Sequence, residues 1–301
     1  MKSIVIFGGA GFIGKHIIRR LAKNGYKIIV PYQQSTKEEK LRFLGYTGQI
    51  VPVYYNSLKD KKITSILETI DVCINLKTAW DSKITSFNNS IFKFNEELVD
   101  ILKSIKKLKQ FLYFSGLGVD EDKKSLRSIA IHQSENLFQS NFDNSFILRP
   151  GVVIGGGDPF ISKLVSVFKM SIIVPIIGTG NSKIQPVYID DISLLVEKII
   201  NEDYHGKHIV ELAGPNIFTI KELYELIIEF NNKKRFMIKI PMIIARFLIR
   251  IGKFLSISPI NLEQLRLFSQ NNIKKNVGKE FSFFSIYPQD TKEIIKKIVK
   301  F

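Results

Sequence analysis

The chain has one cysteine, Cys73, in 301 residues. A lone thiol excludes an internal disulfide framework and any cysteine-rich zinc site. No apolar run reaches the ~18–20 residues needed to span a bilayer. The start, Met1-Lys-Ser-Ile-Val-Ile-Phe-Gly-Gly9, lacks the long apolar stretch and small-residue cleavage site of a signal peptide, so the sequence predicts a cytoplasmic chain. Acidic residues are scarce: 28 Asp and Glu stand against 44 Lys and Arg, a net charge of +16. The excess is uneven. Residues 231–301 hold 15 Lys and Arg and 4 Asp and Glu, and the first 230 residues carry only +5. A basic end on a near-neutral body points to an anionic partner: phospholipid, nucleic acid or an acidic protein face. A composition rich in Lys, Ile and Asn is the plainer account. What is present in ordinary measure, 45% hydrophobic and 24% charged residues, excludes a disordered or collagen-like chain. The length fits one large or two smaller domains at ~100–200 residues each.

Ser3-Ile-Val-Ile-Phe7 reads as a buried parallel strand, a short β-branched run closed by glycine. Gly8-Gly-Ala-Gly11-Phe-Ile-Gly14 follows, then a helix over His16–Asn24 and a second strand over Tyr26–Val30. Strand, glycine turn, helix and strand within ~30 residues is the context in which such a motif holds a dinucleotide. Gly8 permits the tight turn, Gly11 lets the backbone approach a pyrophosphate, and Gly14 lets the helix pack on the sheet. The helix N-terminus then offers N–H groups and a positive dipole end to the phosphates. A ligand-free glycine turn is the alternative, and the flanking strands argue against it.

Further strands are predicted over 49–54, 71–76, 109–115 and 145–149, and helices over 63–69, 91–105 and 129–139. This alternation implies an α/β fold, a doubly wound parallel (Rossmann) sheet with a smaller, mainly helical C-terminal domain. Residues 1–150, completed by about 187–215, would form the dinucleotide-binding domain. Residues 151–186 and 216–301 would form the second. Ligands in such sheets bind beyond the strand C-termini, so Gly8, Tyr32, Asn56, Leu76–Lys77 and Ser115–Gly116 should ring one dinucleotide. The second strand end normally carries an acid for the ribose of NAD or an Arg for the 2′-phosphate of NADP. Here Val30-Pro-Tyr-Gln-Gln34 has neither. Gln33 or Gln34 can hydrogen-bond a phosphate and Lys37 is near, which favours NADP(H) over NAD(H).

The chain resembles the extended and atypical short-chain dehydrogenase/reductases, the group of NAD-dependent epimerases and dehydratases. Within it, the chain is most similar to the dinucleotide-binding accessory subunits of respiratory complex I and their bacterial relatives. Phe7–Gly14, Val30-Pro-Tyr-Gln33, Gly45-Tyr-Thr-Gly-Gln-Ile50, Leu148-Arg-Pro150 and Gln185-Pro-Val-Tyr-Ile-Asp-Asp191 carry the resemblance, with weaker support from Gly214-Pro215 and Ser258-Pro259. It implies that Gly8, Gly9, Gly11, Phe12, Ile13 and Gly14 form the pyrophosphate loop. Tyr32 and Gln33 fall where the family often has Tyr-Arg at the adenosine ribose, Asn56 falls where an Asp commonly stands beside the adenine, and Leu76 and Ser115 fall on cofactor-facing strand ends.

Short-chain dehydrogenases work through a Tyr-x-x-x-Lys pair and a Ser or Thr, which move a proton while the cofactor moves a hydride. Aligning Glu135 with the family's glutamate puts Arg127 at the Tyr position, Ile131 at the Lys position and Leu117 near the hydroxyl position. Tyr55-Asn-Ser-Leu-Lys59 fits the pair by spelling but follows the third strand, at the adenine end. His132 and Tyr188 remain as candidate acids. No metal site is expected.

The C-terminal part adds a helix over Asp191–Ile200, a strand over His208–Leu212 and an amphipathic helix over Thr219–Phe230, with Thr219 and Glu222 as a capping box. Residues 240–255 read as a helix in which Lys239, Arg246, Arg250 and Lys253 form a basic stripe of roughly 60° beside a broad apolar face. That pattern suits a membrane interface or a partner surface. Its alternative is a helix buried against the second domain with snorkelling cations. The basic end around Lys292–Lys297 adds to the same surface. No recognised nucleic-acid motif is present.

The resemblance implies a dinucleotide-binding, non-catalytic accessory or assembly subunit of a membrane-associated NADH:quinone oxidoreductase. Its partners would be respiratory complex I subunits and an anionic membrane surface. It would sit peripherally on the inner face of the bacterial inner membrane or the equivalent matrix face. The rival readings are an active NAD(P)-dependent reductase or epimerase acting on a sugar nucleotide, isoprenoid or quinone precursor, and a sensor of cofactor redox state.

Overall fold

The structure is a computed structural model that describes residues 2–33, 38–78, 86–202, 204–232, 234–254 and 262–300. Gln34, Lys37 and Ser258-Pro259 lie outside the described residues. The chain divides into two units. The first comprises residues 1–150, 189–212 and 276–287, and the second residues 151–188, 213–275 and 288–301.

The first unit opens with β1 (Ser3–Phe7), α1 (Phe12–Lys23), β2 (Lys27–Tyr32), α2 (Glu38–Arg42), β3 (Ile50–Tyr54), α3 (Lys61–Leu67) and β4 (Val72–Asn75). A π-helical turn over Asn88–Lys93 leads into α4 (Phe94–Leu102), and β5 (Gln110–Phe114), α5 (Leu126–Asn141) and β6 (Ser145–Pro150) follow. The second unit contributes β7 (Val153–Ile154), α6 (Ile161–Met170), β8 (Ile173–Ile177), β9 (Lys183–Ile184) and β10 (Val187–Tyr188). The chain returns to the first unit through α7 (Ile189–Asn201) and β11 (Lys207–Leu212). The rest runs through β12 (Phe218–Thr219), α8 (Ile220–Phe230), β13 (Phe236–Ile240), α9 (Met242–Phe254), α10 (Leu262–Leu265) and α11 (Thr291–Lys300).

Seven parallel strands form one sheet in the order β11-β6-β5-β4-β1-β2-β3. Its inner strands are apolar on both faces, as a sheet covered on both sides requires, and every residue of β5 is buried. On one face Cys73, Phe111, Tyr113, Leu98 and Phe138 share a core. Phe111 stacks on Phe138 and on Phe142, with ring centroids 4.3 and 5.0 Å away. On the other, Ile17, Ile18 and Leu21 of α1 and Ile192, Leu195 and Val196 of α7 are fully buried. Each such side chain contributes about 1.5–3 kcal/mol by leaving water. Arg20 ties α1 to α7 through the Glu197 carboxylate at 2.8 Å and Ser193 Oγ at 3.1 Å.

Both sheet edges are blunted at one position. In β3 the odd residues face β2, as the Tyr55 N–H to Tyr32 carbonyl bond shows, so Pro52 turns its missing N–H to the open side. Against β11, Lys279 receives at its carbonyl the Glu211 N–H (2.9 Å) and gives its own N–H to the Ile209 carbonyl (2.8 Å).

In the second unit β8 and β13 pair in parallel over a core of Ile154, Phe168, Val174, Ile184, Leu223, Ile227 and Ile295. Thr219 caps α8 as the sequence predicts. Its Oγ1 accepts the Glu222 N–H (3.1 Å), and the Glu222 carboxylate accepts the Thr219 N–H (2.7 Å).

Candidate functional site

The glycine loop is built by close approach. Gly8 has φ +75°, and a Cβ there would lie 2.9 Å from the Leu76 carbonyl carbon and 3.1 Å from the Lys77 nitrogen. A Cβ on Gly14 would lie 2.5 Å from Gly9 Cα, and one on Gly9 would meet Val30 Cγ1 at 2.8 Å. The loop is therefore pressed onto the turn after β4 and the start of α1 onto the loop. Gly11 takes the N-cap position in extended geometry, no side chain caps the helix, and its first turn holds no acid. The leading amides of α1, at Phe12 and Ile13, thus meet the dipole end of the helix with no carboxylate in the way. A bare backbone cradle at a helix N-terminus fits a pyrophosphate.

The later strand ends converge on this loop. The Tyr32 hydroxyl donates to Glu38 Oε2, and Arg42 Nη2 donates to Glu38 Oε1 at 2.7 Å. These bonds hold the Glu38 carboxyl below and the Tyr32 phenol above their ordinary pKa values. The strand end read from sequence as free of acid therefore has one. Glu38 lies just past Val30–Gln34, six residues after Tyr32, at the first position of α2. Gln33 Nε2 approaches the Asn56 carbonyl at 3.5 Å. Asn56 Oδ1 accepts from the Tyr54 hydroxyl (2.7 Å), and the Asn56 N–H donates to Asp60. Leu76 N–H bonds the Phe7 carbonyl at 2.9 Å. Ser115, at the end of β5, is buried, and its Oγ has no hydrogen-bond partner among the described residues. An orphaned hydroxyl at a strand C-terminus is the second feature that fits a ligand.

One device was invisible in the sequence pattern. Asn75 Oδ1 accepts the Lys77 N–H (2.9 Å), Asn75 Nδ2 donates to Asn95 Oδ1 (2.8 Å), and Asn95 Nδ2 reaches the Tyr113 hydroxyl (3.4 Å). This buried chain fixes the turn after β4. Burial pushes the Tyr113 phenol well up, which keeps it neutral. Two of the family-like segments are structural as well. Gln49 donates to the Ala22 carbonyl and accepts from the Tyr46 N–H, and Gln185 donates to the Gly214 carbonyl and accepts from the Lys274 N–H.

At the position of the family's Lys, Ile131 is fully buried in the core, and Leu117 is buried too. Glu135 takes two bonds from Arg149, Nε to Oε1 at 2.8 Å and Nη2 to Oε2 at 2.6 Å, while Arg149 Nη1 reaches Asp120 at 2.8 Å. His132 Nδ1 lies 3.1 Å from the same Glu135 Oε2. His132 is thus tied to a buried ion pair. Tyr188 belongs to the other unit, on β10, where it pairs with Ile154.

The basic helix differs from the expectation at its start. Lys239 stands in β13, paired with Ile176, because Phe236–Ile240 extends as a strand and Pro241 ends it. The Lys253 side chain lies outside the described residues. Arg246 and Arg250 are exposed on α9. Ala245 and Ile249 are buried, whereas Ile243, Ile244, Phe247, Leu248 and Ile251 are exposed, Ile243 at 79% and Phe247 at 62%. Most of the apolar face is therefore open, contrary to the buried-helix alternative. No helix among the described residues is long and apolar enough to cross a membrane, and no group of His, Cys, Asp and Glu among them can hold a metal.

A parallel Rossmann sheet, a glycine loop at its first turn and a matching family model over residues 4–213 place the chain in a defined class: it belongs to the NAD dependent epimerase/dehydratase family. Among curated proteins it is 26% identical over 300 residues to the Arabidopsis thaliana mitochondrial NADH dehydrogenase [ubiquinone] 1 alpha subcomplex subunit 9, covering 95% of this chain and 74% of that one. It is 24% identical over 240 residues to the Neurospora crassa mitochondrial NADH-ubiquinone oxidoreductase 40 kDa subunit, covering 78% of this chain and 62% of that one. The chain thus spans about three-fifths to three-quarters of the length of these relatives. The fold is that of the Bacillus cereus UDP-glucuronic acid 4-epimerase solved with UDP-glucuronic acid and NAD, with TM-score 0.70, 17% identity and 99% coverage of both chains.

Proposed function

We propose that this chain is a dinucleotide-binding accessory subunit of a membrane-associated NADH:quinone oxidoreductase, and that it carries its nucleotide without turning it over. The observation that carries the reading is the similarity along 95% of the chain to a subunit named for that complex, joined to the glycine cradle. In this reading Gly8, Gly9, Gly11, Phe12, Ile13 and Gly14 hold the pyrophosphate, Tyr32, Gln33 and Asn56 face the adenosine, and Leu76 and Ser115 line the rest. A bound nicotinamide coenzyme would supply hydride chemistry. The side chains at the usual proton-transfer positions, Arg127, Ile131 and Leu117, supply neither a phenol, an ammonium nor a hydroxyl. General acid–base help is worth ~10²–10⁴-fold in such a step, so little carbonyl turnover is expected. The cofactor is NADP(H) in preference to NAD(H). The subunit docks peripherally, through the open apolar and basic face of α9, beside anionic lipid headgroups or the membrane-proximal subunits.

Three measurements test the proposal together. Mass spectrometry of the purified protein identifies any retained nucleotide. Native electrophoresis of membranes shows whether the chain migrates with the respiratory complex. Assays with carbonyl and sugar-nucleotide substrates follow nicotinamide turnover. Retention and co-migration without turnover support the reading. Turnover abolished by His132→Ala would overturn it in favour of an active reductase.

A further inference from the structure

Lys77 follows β4, on the turn that Gly8 presses against and that Asn75 holds. Its ammonium reaches across to the ends of β2 and β3. Nζ donates to Gln33 Oε1 at 3.2 Å and to the Tyr55 hydroxyl at 3.3 Å, and stands 3.8 Å from the centroid of the Phe94 ring. All three contacts are neutral. Among the described residues no carboxylate lies within ion-pair distance of Nζ. Burial pulls the Lys77 ammonium down to about 8, with Glu97 opposing from a distance. A cation held among neutral partners at a strand C-terminus is incompletely satisfied, and an anion placed there would complete it.

The location says which anion. In a dinucleotide fold the end of the second strand faces the adenosine ribose, and the group standing there decides whether a 2′-hydroxyl or a 2′-phosphate is accepted. Gln33 itself is uncharged, and the Glu38 carboxylate beside Tyr32 is engaged by the Tyr32 hydroxyl and by Arg42. Lys77 delivers a charge to Gln33 from the far side of β1, two strands away in the sheet. We infer that Lys77, positioned by Gln33 and Tyr55, reads the 2′-phosphate and makes the site selective for 2′-phosphorylated adenine nucleotides. This rests on the dinucleotide reading above and assigns the selecting residue within it.

The test compares 2′,5′-ADP with 5′-AMP, and NADP⁺ with NAD⁺, by calorimetry on the full chain at pH 7. A charge-assisted bond to a phosphate is worth about ten- to a hundredfold in affinity. Wild type should prefer each 2′-phosphorylated ligand by at least that lower figure. Lys77→Met should lose the preference, read as the ratio of the two affinities within each ligand pair, and Lys77→Arg should keep it. Wild type measured at pH 9.5 gives the same comparison without a substitution, because an ammonium titrating near 8 is then neutral. Equal affinities for the paired ligands in wild type, or an unchanged preference in Lys77→Met, would overturn the assignment while leaving dinucleotide binding intact. Failure of wild type to bind any of the four overturns both.

Discussion

Replacing Glu135 by Leu should destabilise the first unit more than any exposed substitution can. Arg149 and Glu135 are 3% and 1% exposed, and they share two near-parallel bonds of 2.6 and 2.8 Å. Once the carboxylate is gone, the guanidinium stays buried with only Asp120 for company, and Asp120 is itself 29% exposed. Breaking one side of a buried pair costs about 3–5 kcal/mol, because the remaining charge is desolvated and uncompensated. At about 2–4 °C per kcal/mol for a domain of this size, the melting temperature should fall by roughly 6–20 °C. The double variant Glu135→Leu plus Arg149→Met removes both charges and should recover most of the loss, since Asp120 can turn to water. Urea titrations of wild type, both single variants and the double variant, followed by circular dichroism, give the full cycle. A single-variant cost below about 1 kcal/mol, or a double-variant cost equal to the sum of the singles, would refute the reasoning.

The remaining predictions are narrower. Gly14→Ala should abolish nucleotide retention, because its methyl group would meet the Gly9 backbone, which has no rotamer to yield; mass spectrometry of a folded, purified variant decides this. Thr219→Ala should cost about 1 kcal/mol by removing the α8 cap, read as a lower denaturation midpoint with an unchanged slope. The affinity for 2′,5′-ADP should fall as pH rises through about 8, since Lys77 binds the anion only while protonated; 5′-AMP should show no such step. By the linkage sign, free-protein stability gains from this group between about 8 and its ordinary 10.5, because there the unfolded chain binds the extra proton. Arg246→Glu plus Arg250→Glu should weaken sedimentation with anionic vesicles at low salt; unchanged binding would leave protein as the docking partner.

The sheet was legible because a doubly covered parallel strand needs an unbroken apolar run, and Ile4–Phe7 and Phe146–Leu148 are such runs. The capping box at Thr219 was legible because its chemistry is local. Helix starts were less so: α1 begins at Phe12, four residues before its apolar periodicity shows. The site beyond the glycine loop depended on long-range meetings that no periodicity encodes. Lys77 meets Gln33 from 44 positions away, and Asn75 meets Asn95 from 20. Lys239 was misplaced because strand and helix abut at Pro241, so one apolar run serves both.

The blunted rims of the large sheet bear on how this molecule can meet others. A second chain adding a ribbon beside β3 would find no hydrogen to share at Pro52, and beside β11 it would find Lys279 already in place. Backbone zippering is thereby disfavoured at those two positions, which leaves more of any contact there to side chains. Ile243, Phe247 and Ile251 on α9 leave an apolar ridge open to such side-chain contact.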